Sequence, residues 1–262
     1  MANKFYDPGE QRAAKVNDLF ATIAGCYDAM NDLQSFGLHR VWKRLLVQLA
    51  KVRPGEQALD VCCGTGDLAF ALARRGASVV GLDFNEPMLA VAEARRQRSE
   101  EGRRTTNKSG GLIGGMFNPQ FLNGDAQQIP FPGETFEIVT IGYGLRNLAS
   151  WETGLREMQR VAKPGGRLLV LDFGKPDNPL WRWMYFGYMK FLVPVLGAIV
   201  CGNPAAYAYI LESLTHYPAQ RGVAAKMHEL GLTSIRTINL LGGIMSINYG
   251  EKPDSNRSPV VH

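Results

Sequence analysis

The chain has 262 residues, 45% hydrophobic and 20% charged, which supports a packed core of one large domain and excludes a disordered or collagen-like chain. Lys and Arg total 29 against 24 Asp and Glu, a net charge of +5. That modest excess suits an anionic ligand or a membrane surface and does not by itself indicate nucleic acid. The cysteines, Cys26, Cys62, Cys63 and Cys201, show no C-x-x-C spacing. They suggest neither a metal site nor a disulfide framework and predict buried free thiols in a reducing compartment. The polar stretch Met1 to Glu10 carries no apolar signal core.

The first fifty residues read as helices, over Glu10–Cys26 and about Leu38–Lys51, the second ended by Arg53-Pro54-Gly55. The period then changes. Short apolar runs at Gln57–Val61, Ala77–Leu82, Gln120–Asn123, Phe136–Ile141 and Arg167–Asp172 predict strands. Helices are predicted between them at Asp67–Arg75, about Pro87–Arg98 and about Trp151–Lys163, the last closed by Pro164-Gly165-Gly166. Strands alternating with helices imply βαβ units and a parallel sheet. Ser99 to Asn118, rich in Gly, Ser and Arg, reads as a mobile surface insertion. Leu180 to Gly202 is aromatic and apolar, but its longest charge-free run, Phe191 to Gly202, is too short to span a bilayer at about 20 residues. Helices follow at Pro204–His216 and Ala219–Leu230. A hairpin around Leu241-Gly242 joins strands at Ser234–Leu240 and Gly243–Tyr249. Glu251 to His262 reads as a disordered tail.

The strongest chemical signal is Leu59-Asp60-Val61-Cys62-Cys63-Gly64-Thr65-Gly66-Asp67, a buried strand running into a glycine turn and a helix. Glycines let backbone approach a ligand closely. The loop is not G-x-G-x-x-G and carries no P-loop lysine, which disfavours a pyrophosphate or triphosphate cradle and, with it, a dinucleotide-dependent oxidoreductase. Asp83 ends the next strand, where a carboxylate can accept from both hydroxyls of a ribose. Asp125 and Ala126 follow the third strand, where a carboxylate and an N–H can pair with an adenine edge. Each piece alone also describes an ordinary strand–turn–helix with a capping Asp. Together, Asp60, Gly64, Thr65, Gly66 and Asp83 resemble the S-adenosylmethionine loop of class I methyltransferases.

Longer blocks narrow the resemblance. Tyr27-Asp28-Ala29-Met30-Asn31-Asp32, running on to Ser35-Phe36-Gly37-Leu38-His39-Arg40-Val41-Trp42, is similar to the N-terminal signature of the ubiquinone/menaquinone biosynthesis C-methyltransferases. Gly142-Tyr143-Gly144-Leu145-Arg146-Asn147 and Arg160-Val161-Ala162-Lys163-Pro164-Gly165-Gly166-Arg167 resemble its central signatures. Tyr207, Glu212-Ser213 and Gly242-Gly243 resemble its C-terminal half. The resemblance implies a Rossmann-like seven-stranded sheet (56–252) with an N-terminal helical cover (1–55), an inserted helical lid (178–217), an insertion at 99–118 and a tail at 253–262. It implies methyl transfer from S-adenosylmethionine to a ring carbon of a polyprenylated quinol, with no metal. The Cys62–Thr65 loop, Gly81-Leu82-Asp83-Phe84 and Gly142, where ubiquinone-type members often carry Ser, look more like members that methylate demethylmenaquinol. A benzoquinol precursor, or both rings, is the alternative. A cofactor-binding scaffold without activity is the rival from another class, and intact Asp83 and Arg146 speak against it.

The resemblance implies cofactor contacts from Thr65, Asp83, Asp125, Ala126 and the Gly142 position. Arg146 and Asn147 are the expected catalytic pair past the fourth strand, where a cation can favour a phenolate. Asp28 is the expected general base, with Tyr27, Asn31 and His39 as substrate contacts. An ion pair is the plain alternative for Arg146, and helix capping or packing for His39. The aromatic stretch is read as a lid over a polyprenyl tail, with peripheral membrane contact. The expected location is cytoplasmic, at the inner membrane face, with no nucleic-acid partner and room for a homo-oligomer.

Overall fold

A computed structural model describes residues 10–106, 118–202 and 204–254. Three helices open the chain: α1 (Glu10–Ile23), α2 (Tyr27–Gln34) and α3 (Leu38–Leu49). Then come β1 (Gln57–Val61), α4 (Asp67–Ala73), β2 (Ser78–Asp83), α5 (Glu86–Thr106), β3 (Gln120–Asn123), β4 (Phe136–Gly142), α6 (Trp151–Val161) and β5 (Ala162–Phe173). The rest is α7 (Pro179–Cys201), α8 (Pro204–His216), α9 (Ala219–Glu229), β6 (Thr233–Leu240) and β7 (Met245–Glu251).

The strands form one sheet in the order β3-β2-β1-β4-β5-β7-β6. β1 to β5 run parallel, while β7 is antiparallel to both its neighbours. Alternation along each strand feeds two cores. Leu59, Val61, Val139, Ile141, Leu168 and Val170 point to one face; Ala58, Ile138, Leu169 and Leu171 point to the other, under α3 and α4. The order reverses between β1 and β4, and a crevice at the carboxyl ends of the strands opens there.

Several expectations change. α5 runs to Thr106, so residues 99–106 continue a helix rather than begin an insertion. Glu93 and Glu100 clamp Arg96 at helical spacing and carry the helix past Ser99. Residues 107–117, the Tyr207 side chain and the tail from 255 lie outside the described residues. Pro164-Gly165-Gly166 does not close α6; it lies within β5. Gly165, at a φ of 73°, donates to Lys252 and Gly166 accepts from it, so the residue just past β7 holds the turn in line with the sheet.

α7 is one helix of 23 residues despite Pro194, and an 18-residue window of it has a mean hydropathy of 1.6. By length and composition alone it is long and apolar enough to cross a membrane, although Arg182 and Lys190 interrupt it and its charge-free run stays as short as the sequence indicates. Tyr185, Met189, Val193 and Gly197 bury one face. Only 22% of that window is buried, and Leu180, Met184, Phe191, Val195 and Ile199 stand exposed.

The free-thiol expectation holds for Cys62 and Cys63 and fails for the other two. Cys26, in the turn before α2, is bridged to Cys201 at the end of α7, with Cα atoms 6.0 Å apart. A separation of 175 residues hid the pair from any spacing argument. The bridge fastens the N-terminal helices to α7, which already packs on α2, where the Tyr188 hydroxyl donates to Gln34 O at 2.7 Å.

Closing so long a loop stabilises the fold by about 2–4 kcal/mol. Cys201→Ser should therefore lower the thermal midpoint by ~2–4 °C per kcal/mol lost, and reductant should lower the wild type alike. Melting curves indistinguishable with and without reductant would show that the bridge does not form in solution.

Candidate active site

The turn after β1 is built on left-handed backbone. Cys62, Gly64 and Gly66 have φ of 52°, 54° and 86°. Gly66 has no freedom to change, because a Cβ there would lie 2.8 Å from the Phe121 ring. Asp83, at the end of β2, fixes the turn: its Oδ2 accepts from Gly64 N at 2.7 Å and its Oδ1 from Asn85 N at 2.8 Å. Burial pushes its carboxyl up, and those N–H donors oppose the rise.

Gly64, Asp83, Asp125, Ala126, Gly142 and Asn147 line one cavity at this crevice. A carboxylate, a second carboxylate beside a backbone N–H, and an apolar wall are the donor set a nucleoside needs, and S-adenosylmethionine fits it. Among the described residues, the Asn147 Oδ1 is buried there without a hydrogen-bond partner. A Cβ at Gly142 would lie 2.7 Å from Leu68 Cδ1, so the missing Ser side chain matches the space that Leu68 takes.

Three expected cofactor residues line no part of this cavity. Gly66 shapes the turn. Thr65 is buried and donates to Asp28 Oδ1 at 2.9 Å, and its carbonyl accepts from Arg95. Asp28 also lies 3.6 Å from Arg95 Nη1, and it lines neither this cavity nor the next. Nearby, Asp67 takes Lys43 and Arg95 at 2.7 and 2.8 Å. Burial raises the Asp67 carboxyl, but those two cations outweigh it and hold it well below its usual value.

A second, largely aromatic cavity contains Tyr27, Asn31, His39, Tyr143 and Arg146. Phe20, Tyr27 and Tyr143 line both cavities and form their common wall. The short turn Leu145–Asn147 thus feeds both, Arg146 into one and Asn147 into the other. Arg146 is 5% exposed and faces the buried Asp172. Its backbone N donates to Asp172 Oδ2 at 3.2 Å, and its Nη1 to Oδ1 at 3.4 Å and to Tyr143 O. The guanidinium lies 4.7 Å from the Phe173 ring centre. Burial raises the Asp172 carboxyl, and Arg146 pulls it back.

Tyr143 was not singled out by the sequence, although its place between two glycines was a signal. It holds a φ of 63°, and its buried hydroxyl has no partner among the described residues. Gln34 and Ser35 were also missed. Among the described residues, Gln34 Oε1 and Asn31 Nδ2 are buried without partners at the same cavity, so this wall offers unmet donors and acceptors to a polar ring.

A model of the ubiE/COQ5 methyltransferase family matches residues 8–252. The ubiquinone/menaquinone biosynthesis C-methyltransferase UbiE of Ectopseudomonas mendocina is 40% identical over 94% of this chain and 92% of its own length. The protein of the same name from Cellvibrio japonicus is 39% identical over 94% of each chain. Among solved structures, an S-adenosylmethionine-dependent methyltransferase from Thermotoga maritima aligns with a TM-score of 0.61 at 15% identity. It covers 90% of this chain and 99% of its own. At that identity the likeness speaks for the fold alone, the class I methyltransferase fold.

Asp60 is buried behind the site rather than in it. It accepts from Ala69 N at 3.0 Å and from the Thr140 hydroxyl at 2.8 Å, tying the head of α4 to β4. Burial, opposed by the Thr140 hydrogen bond, raises its carboxyl from 3.8 to about 7. The folded state therefore holds a proton that the unfolded chain releases, and stability falls as pH rises from about 4 to about 7. Asp60→Asn should remove that slope, so its stability relative to wild type should grow across this window and level off above it. Denaturant titrations at pH 4.5, 6 and 8 check this; a constant difference would show an ionised Asp60 throughout.

Proposed function

Because the chain belongs to the ubiE/COQ5 methyltransferase family, we propose that this S-adenosylmethionine-dependent methyltransferase methylates a ring carbon of a polyprenylated quinol. The observation that carries the reading is the pair of cavities sharing Tyr27 and Tyr143, one with a nucleoside's donor set and one aromatic with a buried cation. The substrate ring is a demethylmenaquinol. The Cys62-Cys63-Gly64-Thr65 loop, Gly81-Leu82-Asp83-Phe84 and Gly142 support that choice by resemblance. A benzoquinol is the second reading, favoured by relatives whose name carries both quinones.

In this reading Asp83 accepts from the ribose hydroxyls, and Asp125 with the Ala126 N–H takes the adenine edge. The bound cofactor supplies an electrophilic methyl group. Arg146 faces a ring oxygen and stabilises negative charge on it, Asn147 lies between the two ligands, and Tyr27 and Asn31 hold the ring. Asp28 and Thr65 brace the cofactor turn from behind. The exposed face of α7, bearing Phe191, Val195 and Ile199, supports contact with the membrane that carries a prenylated substrate. In this reading the protein works at the inner membrane face.

Lipid-quinone mass spectrometry of a strain lacking the gene tests the substrate: a demethylmenaquinone should accumulate, and an unmethylated benzoquinone would favour the second reading. Asp83→Ala should weaken S-adenosylmethionine binding by about 1.5–3 kcal/mol, the loss of a charged hydrogen-bonding group. Unchanged affinity in calorimetry would remove Asp83 from the ribose. Arg146→Ala should cut turnover by about 10- to 1000-fold, since an opposite charge shifts a phenol by about 1–3 pKa units, while cofactor affinity holds. Normal turnover in that variant would end the phenolate role.

A further inference from the structure

We propose that His39 is the catalytic base: its Nε2 accepts the proton of the ring hydroxyl beside the carbon being methylated. The proposal rests on the quinol reading above. His39 lies in the first turn of α3, is 3% exposed to solvent, and lines the aromatic cavity with Arg146 and Tyr143.

The hydrogen bonds of Ser35 fix the tautomer. The Ser35 hydroxyl lies 2.5 Å from Asn31 O, which can only accept, so its single proton goes there. Its oxygen then accepts from His39 N at 3.2 Å and stands 3.0 Å from His39 Nδ1. With no proton left to give, Ser35 must receive one from Nδ1. Asp32 Oδ1, 3.7 Å from Nδ1, favours the same tautomer. A neutral ring protonated at Nδ1 carries a bare lone pair on Nε2. Among the described residues nothing bonds Nε2.

The ring stays neutral at pH 7. Burial, the largest influence, and the Lys43 cation hold His39 below its usual 6.5; Asp32 on α2 and Asp67 on α4 oppose them, and Arg40 assists. Arg146 and Tyr143, past β4, line the same cavity.

Elimination points the same way. Among the described residues no carboxylate lines the cavity. Arg146 has only donors, and burial raises the phenols of Tyr27, Tyr143 and Tyr185. Asp28 is engaged by Thr65 and Arg95. Of the described residues lining this cavity, His39 is the one that can take up a proton near neutrality.

A free phenol near pH 10 would not yield its proton to so weak a base. The transfer is coupled to carbon–carbon bond formation. As a ring electron pair bonds the methyl carbon and the methyl–sulfur bond breaks, its electrons staying on sulfur, the hydroxyl becomes that of a protonated ketone and a far stronger acid. Its proton passes to Nε2. The ring carbon then loses its own hydrogen as a proton to water, the imidazolium returns its proton to the oxygen, and the aromatic quinol is restored. One proton is released overall.

The test uses the full chain, S-adenosylmethionine and a short-chain prenylated naphthoquinol or benzoquinol kept reduced, with kcat and kcat/KM followed from pH 5 to 9. Wild-type activity should fall as pH drops through a group below 6.5. His39→Ala should lose about 10²- to 10⁴-fold in kcat, lose that acidic limb, keep its cofactor affinity, and regain turnover with added imidazole. His39→Gln, which keeps a polar contact without a basic nitrogen, should be equally slow. A His39→Gln enzyme near wild-type kcat, or an acidic limb that persists in it, would overturn the base. A wild type that binds the cofactor and methylates neither quinol would overturn the quinol reading itself, and the base with it.

Discussion

Arg146 against Asp172 is the contact on which the candidate site depends. Both side chains are almost wholly buried, and taking two charges from water costs more than a long 3.4 Å pair returns on its own. Extra bonds make up the difference. Asp172 also accepts from the Arg146 and Phe173 backbones, while Arg146 donates to Tyr143 O and lies over Phe173. The register of β4 on β5, Gly142 beside Leu171, brings the turn carrying Arg146 over Asp172. The charge that faces the cavity is thus already matched one to one. In the proposed reaction such a cation would stabilise a ring oxygen and leave removal of the proton to another group, and the same cavity holds His39.

The helices complete what the sheet begins. α2 and α3 bring the Asn31–Gln34–Ser35–His39 row to the cavity, and α7 closes over it with Tyr185, Tyr188 and Met189. The Cys26–Cys201 bridge and the Trp181 N–H on Leu241 O fasten α7 at both ends. One face of α7 is spent on this closure. The other stays apolar and open.

Much of this was legible in the sequence because it is local. The short apolar runs gave β1, β2 and β4 nearly to the residue, and the Gly64–Gly66 turn and Asp83 lie where they were expected, at the carboxyl ends of β1 and β2. What failed depended on partners far along the chain. The Pro164–Gly166 stretch reads as a stop, but Lys252 pairs with it and makes it strand. Asp60 belongs to the expected loop, yet its strand register turns it toward Thr140 and away from the cavity. Asp28 sits in the expected signature, and helical geometry points it at Thr65 and Arg95. Cys26 and Cys201 meet only because α2 and α7 pack. His39 was visible as a candidate; the Ser35 bond that sets its tautomer was not.

The central claim is carbon methylation of a quinol ring between these two cavities. Its most direct measurement is ¹³C-NMR of the product from purified protein, S-adenosylmethionine labelled in its methyl group, and reduced prenylated naphthoquinol and benzoquinol offered side by side. The account predicts a labelled methyl bonded to a ring carbon next to a hydroxyl, with the naphthoquinol consumed first. Label on an oxygen, or no label on either ring from a protein that binds the cofactor, would contradict it.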